Sequence, residues 1–270
     1  MEYKQIIYQP GKVARVILNR PRYRNAQSKI LLEEMDDAFN CAVADKKVDV
    51  IVLSGAGDHF SAGHDLGTPE EVEDRKARGQ ANDGQAAFIY ARELFLEKTL
   101  RWRNLPKPTI AMVQGYCIFA GWMVAAAMDI IFASEEALFL PAHFQYFSAP
   151  WDVGPRKAKE LIFENRYLTA QEACECGFVS RVYPKDQLEQ ETLAFADRVA
   201  ENDPFSLRLT KFSINHMMDT MGFTSEMEAG FQINFIRRYL ENSTYARREN
   251  KSRKLANSDT AMKNLKLSKQ

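Results

Sequence analysis

PTIAMVQGYCIFAGWMVAAAMDIIFASEEALFLPAHFQYFSAPWD, residues 108–152, is the stretch that decides the fold. It opens as an apolar, β-branched run, breaks at Gly115, and resumes as small and apolar residues from Ala120 to Met128. A second apolar run, DIIFAS, follows and is closed by acids. Short apolar runs bounded by glycine or charge suit buried strands, and the alanine-rich piece between them suits a helix. A buried strand that feeds a helix through such a turn leaves backbone N–H groups free at the helix start, a seat for negative charge. His143 and Asp152 lie just beyond, in an apolar and aromatic neighbourhood, and read as an acid/base pair facing that seat.

Outward from this stretch, the alternation of strand and helix continues. Ile6–Tyr8 and Lys12–Leu18 read as a hairpin around Gln9-Pro10-Gly11. Ser28 to Ala44 carries apolar residues at helical spacing, and Val48–Leu53 is a continuous apolar run suited to a strand covered on both faces. Strand, helix and strand in that order imply a right-handed crossover. Glu70–Gln85 is charged and glycine-punctuated and reads as an irregular, mobile stretch; helical spacing resumes over Ala86–Asn104. Beyond Asp152, a helix begins at Pro155, Thr169 to Glu172 forms a capping box, and Phe178–Tyr183 is one more strand. Lys185–Glu201 and Phe205–Met218 read as helices. The fold class is α/β, with a core over residues 1–200 and a helical region over 201–270.

A chain of 270 residues with 36 basic and 36 acidic side chains can bury a large core and carries no field that argues for nucleic acid or an acidic membrane. From Arg237 to Lys269 ten basic residues face three acidic ones; a solvated helical end accounts for them, and a patch for phosphate groups is the alternative. The four cysteines, at 41, 117, 174 and 176, lack metal or disulfide spacing, the four histidines lack ligand spacing, and no segment has a membrane-spanning run. The expectation is a cytoplasmic protein with no metal and no membrane partner.

FSAGHDL, Phe60–Leu66, supplies a second loop of small residues after a strand, with the His64 amide directly after Gly63. With the turn at Ala120-Gly121 it offers two amides to one oxygen, the arrangement of an oxyanion hole. Together with LNRPRYRNAQS, LPKPTIAMVQGYCIFAGW, MDIIFAS and LTAQEACECGFVSRVY, this order of motifs resembles the crotonase (enoyl-CoA hydratase/isomerase) superfamily over most of the chain. The resemblance implies a crotonase-like ββα spiral core and a helical C-terminal trimerisation region, hence a homotrimer or hexamer. It implies a coenzyme A thioester as ligand, with no cofactor beyond that coenzyme A, and a thioester oxygen held by the amides of His64 and Ala120. It further implies that backbone around the FSAGHDL turn, at Ala62 and Asp65, receives the adenine. Basic residues early in the chain, here Arg22 and Arg24, would meet the phosphates; surface solvation is their alternative role.

The chain departs from that family where the reaction is decided. The positions of the two hydratase glutamates hold Met123 and, nearby, His143, and alanine replaces glycine at position 120. His143 suits a general base at neutral pH, and Asp152, nine residues on, can orient it. That spacing resembles the His/Asp pair of 6-oxocamphor hydrolase, a crotonase relative that cleaves a carbon–carbon bond between two ketones. It also resembles the distal aspartate of dienoyl-CoA isomerases. A wall histidine at 143 and a helix cap at 152 are the structural alternatives. Tyr146 is a possible proton donor or a pocket-wall tyrosine. The resulting expectation is hydrolytic ring opening of a cyclic β-oxoacyl-CoA. An enoyl-CoA hydratase or double-bond isomerase is the alternative, and an acyl-CoA-binding member without catalysis is a further one.

Overall fold

The computed structural model describes residues 3–79, 84–241 and 258–268. Strands β1 (Ile6–Gln9) and β2 (Val13–Leu18) form the hairpin, with Ile6 opposite Leu18. Helix α1 (Lys29–Ala44) then returns the chain to β3 (Val50–Gly55), parallel to β2. Ser28 caps α1 by accepting from the Leu31 N–H, one of the donors a helix start leaves open.

The stretch read as irregular is in fact helical at its start: α2 spans Pro69–Ala77. Its signals are local. Thr68 accepts from the Glu71 N–H, Pro69 stands in the first turn, acids follow it, and Arg75 and Lys76 close the last turn. α3 (Gly84–Ala91) runs through a π-helical segment, Arg92–Glu97, into α4 (Lys98–Arg103).

The deciding stretch forms β4 (Thr109–Val113), a short β5 (Tyr116–Ile118), α5 (Ala120–Ala126) and β6 (Ile130–Ser134). β7 (Leu138–Leu140), α6 (Ala149–Asp152), α7 (Pro155–Glu164), β8 (Leu168–Thr169), α8 (Ala170–Glu175) and β9 (Arg181–Tyr183) follow. The capping box at Thr169 and Glu172 is present in both directions. Helices α9 (Lys185–Ala200), α10 (Pro204–Thr220), α11 (Phe223–Glu241) and α12 (Ser258–Leu267) complete the described residues. Six of the ten basic residues of the C-terminal stretch, the five between Arg247 and Lys254 and also Lys269, lie outside them.

The larger sheet has the order β1-β2-β3-β4-β6-β9, all parallel except β1, and a smaller sheet joins β5, β7 and β8. The run of apolar residues in β3 is explained by cover on both faces: Ile51 and Leu53 join the main core with Phe39 and Trp102, while Val50 and Val52 pack with Leu188 and Ala196 of α9. The α/β class, the spiral of strand pairs and helices, and the helical C-terminal region therefore follow the sequence reading. By contrast, α10 contributes no buried residue; Phe205, Leu209, Phe212 and Met217 are exposed along it.

Candidate active site

Two loops meet at the heart of the molecule. Gly63 has φ +86°, a conformation that disfavours a side chain, and a Cβ there would stand 3.0 Å from the Ala120 nitrogen and 2.9 Å from the Ile118 oxygen. Gly121 is equally tight, because a Cβ there would fall 2.6 Å from the Ser61 oxygen. These contacts bring the chain at His64 against the start of α5. Neither the His64 nor the Ala120 N–H donates to a protein acceptor among the described residues. Phe119, just before Ala120, holds φ +57° and ψ −117°, a strained geometry for a residue with a side chain that turns the Ala120 N–H out of the strand.

Gln27 locks the two loops together. Its side-chain amide donates to Ser61 Oγ at 3.2 Å and to the Ala120 carbonyl at 3.1 Å. Its backbone also pairs with the Ser61 loop, N–H to Gly63 O at 2.7 Å and O from Asp65 N at 2.9 Å. Sequence reasoning missed Gln27 and Phe119; within NAQS and CIFAG nothing in spacing or charge marks either.

The His64 imidazole packs at 4.1 Å on Phe95, tilted by 39°, and lines a cavity of about 480 Å³. Its Nε2 is sealed and without a hydrogen-bond partner. Burial, helped by the Arg238 charge, lowers its pKa to about 3, so the ring is neutral near pH 7. It makes no bond to Asp65. That carboxylate is instead taken up by the loop: Arg20 Nη1 at 2.8 Å, Thr68 Oγ1 at 2.6 Å, and the N–H groups of Gly67 and Thr68. Burial alone would raise the Asp65 carboxyl, and these bonds more than offset it. Its side chain braces the turn. Arg22 and Arg24 are exposed, their guanidinium groups over Tyr23 and Tyr116. Ala62 is partly buried, its N–H on the Arg24 carbonyl.

The His143–Asp152 pair does not form a hydrogen bond. Asp152 Oδ2 accepts from Trp122 Nε1 at 2.6 Å and from Ser148 Oγ at 2.7 Å. Both donors, supplied by α5 and the turn into α6, bond the same oxygen, and the His143 imidazole is not among its partners. Asp152 also does not cap the helix at Pro155, since Gly154 holds that place. Burial raises its carboxyl to about 6, near neutral pH. His143 lies in the loop before α6. Its ring packs at 4.5 Å on Phe147 and its carbonyl accepts from Asn234 of α11 at 2.6 Å. Burial and the Arg237 charge keep its imidazole below the ordinary value.

Tyr146 is fully buried in one apolar cluster with Ala120, Met123, Met227 and Phe231, and its hydroxyl has no partner. Burial first, then the charge of Asp152, push the phenol well above its ordinary value. Gln145, beside it, is 2% exposed with both amide atoms unpaired. Among the described residues no group of three or more His, Cys, Asp or Glu side chains is arranged to hold a metal, and no helix is long and apolar enough to cross a membrane.

Comparison with known proteins agrees with this architecture. A family model described as enoyl-CoA hydratase/isomerase matches residues 9–237. A Mycobacterium tuberculosis protein named "Putative enoyl-CoA hydratase EchA13" is 37% identical over 254 residues, covering 86% of this chain and 80% of its own. The crystal structure of a probable enoyl-CoA hydratase from Mycobacterium smegmatis superposes with a TM-score of 0.79 at 38% identity, over 86% of this chain and 93% of that one. An enoyl-CoA hydratase/isomerase from Xanthobacter autotrophicus Py2 gives 0.78 at 32% identity, over 87% of each chain.

Proposed function

Because the chain belongs to the enoyl-CoA hydratase/isomerase family, we propose that it acts on an acyl thioester of coenzyme A through an enolate held by the His64 and Ala120 amides. One observation carries this reading: two N–H groups without protein acceptors, on loops pressed together at Gly63 and Ala120. Donors fixed before the reaction stabilise developing charge without reorganising, and each is typically worth about 2.7–4 kcal/mol in the transition state.

The reaction is hydration of an enoyl thioester or migration of its double bond. In hydration, water oxygen bonds to the β-carbon, the π electrons pass into the thioester enolate, and the α-carbon then takes a proton. In migration, a proton leaves the γ-carbon and another arrives at the α-carbon. Asp152 is the proton-carrying group in this proposal. A carboxyl near pH 6 can both accept and donate at neutrality, and Met123 can do neither. Tyr146 lies in the cluster with Ala120, under the charge of Asp152, and walls the site. Arg22 and Arg24 serve the phosphates of coenzyme A and the backbone at Ala62 the adenine. The exposed apolar side of α10 supports assembly with further copies as a trimer or hexamer.

Hydrolytic ring opening of a cyclic β-oxoacyl-CoA is the second reading, favoured by a His143 ring kept in its neutral form, the form that can accept a proton. It lacks the orienting bond from Asp152. Solvent deuterium exchange at the α-carbon of butanoyl-CoA, with hydration of crotonyl-CoA, tests the first reading; absence of both with folded protein would sink it. Equal turnover of a cyclic β-oxoacyl-CoA by wild type and His143→Ala would remove the second.

A further inference from the structure

The cavity beside the anion seat has walls that a plain hydrocarbon chain does not satisfy. Leu94, Phe95 and Phe231 supply apolar surface, and His64 and Gln145 stand among them. Three polar atoms on these two side chains have no partner and almost no surface of their own: His64 Nε2, Gln145 Oε1 and Gln145 Nε2. Leaving a buried donor or acceptor unmade carries the full cost of its lost hydration. An apolar side chain at position 145 would avoid that cost. Resting on the acyl thioester reading above, we infer that the acyl group carries a hydrogen-bonding oxygen of its own, a ketone or hydroxyl besides the thioester carbonyl, and that Gln145 selects for it.

The chemistry of the two side chains narrows the class. A carboxamide offers both a donor and an acceptor, and a neutral imidazole offers one of each. Neither brings a formal charge, so the pair suits a neutral oxygen function. A site built to bond such an oxygen rejects the analogue that lacks it, because its own buried groups then go unpaired.

The test compares hex-2-enoyl-CoA with 5-oxohex-2-enoyl-CoA and 5-hydroxyhex-2-enoyl-CoA, in the full-length wild type and in Gln145→Met and Gln145→Leu. The expected result is a kcat/KM at least tenfold higher for one or both oxygenated thioesters in the wild type. In the variants that preference collapses toward unity, chiefly through KM of the oxygenated chain. A merely structural role would lower all three substrates alike. Turnover of the hydrocarbon chain as fast as the oxygenated ones in the wild type overturns the inference, as does an unchanged preference in whichever variant folds. If neither variant folds, the wild-type preference alone decides it. Deuterium exchange at the α-carbon of butanoyl-CoA separates this failure from that of the underlying reading: exchange without preference removes only the polar-chain inference, and no exchange with any thioester removes both.

Discussion

Trp122 donates its indole N–H to Asp152 Oδ2 across 2.6 Å, joining the third residue of α5 to the last residue of α6. Hydrogen bonds to a charged group are typically worth about 1.5–3 kcal/mol. Trp122→Phe keeps the ring that stacks on Phe178 at 4.1 Å and deletes this donor. The expected outcome is a loss of stability of about that size at pH 8, shrinking at pH 4, measured by chemical denaturation at both.

Asp152 itself gives the converse effect. Its carboxyl rises from 3.8 to about 6 on folding because burial disfavours the charge. Between those values the unfolded chain has lost a proton that the native one keeps, so stability falls as pH rises through this window and stays lowered above it. The difference integrates to about 3 kcal/mol at most. Asp152→Asn, which keeps an acceptor for Trp122 and Ser148, is expected to melt higher than wild type at pH 8 and alike at pH 4. The same variant is expected to lose at least 100-fold in kcat and the rise of kcat/KM through pH 6. Retention of full activity would remove Asp152 from the proposed proton path.

At the seat, the space around Gly63 allows no side chain. Gly63→Ala would put a methyl group against Ile118 O, Phe119 Cβ and Ala120 N while forcing a positive φ. The expected result is a fall in kcat of about 10²–10³-fold, the range for losing one oxyanion donor, with a smaller change in affinity for coenzyme A by calorimetry. A variant that binds and turns over like wild type would refute the convergence of the two loops.

His64 is depressed to about 3 by burial and by Arg238. An imidazole that must stay neutral in the native state favours folding above its ordinary pKa, and this contribution is lost as pH falls from about 6.5 toward 3. Nitrogen NMR of the labelled side chain is expected to show no titration between pH 8 and pH 5. A midpoint near 6.5 would contradict the sealed environment of Nε2.

The exposed apolar side chains of α10 yield a prediction about assembly. Phe205 is 64% and Phe212 66% exposed. The double variant Phe205→Glu, Phe212→Glu is expected to shift the protein to a smaller species in light scattering; an unchanged mass would place the contact elsewhere.

Most of the frame was legible in the residues, because burial on both faces leaves a plain mark. The runs at Val48–Leu53, Pro108–Val113 and DIIFAS became β3, β4 and β6, and the cap at Thr169 was read correctly from its side chains alone. The two small-residue turns were legible as well, and the structure presses them together at Gly63 and Ala120. The partners of Asp152 were not. Nothing in the linear order says that a tryptophan 30 positions earlier will reach its carboxyl and displace the imidazole expected there. α2 was missed for a different reason: its cap, proline and charge signals were present, but the glycines around it suggested an irregular path.

The amide of Gln27 meets Ser61 and Ala120, partners 34 and 93 positions further along the chain. Such widely separated loops close late in folding. During synthesis, no nascent chain shorter than about half the full length can hold the reactive centre. The same clasp ties the two loops to each other, so a local opening that frees residue 27 would part them.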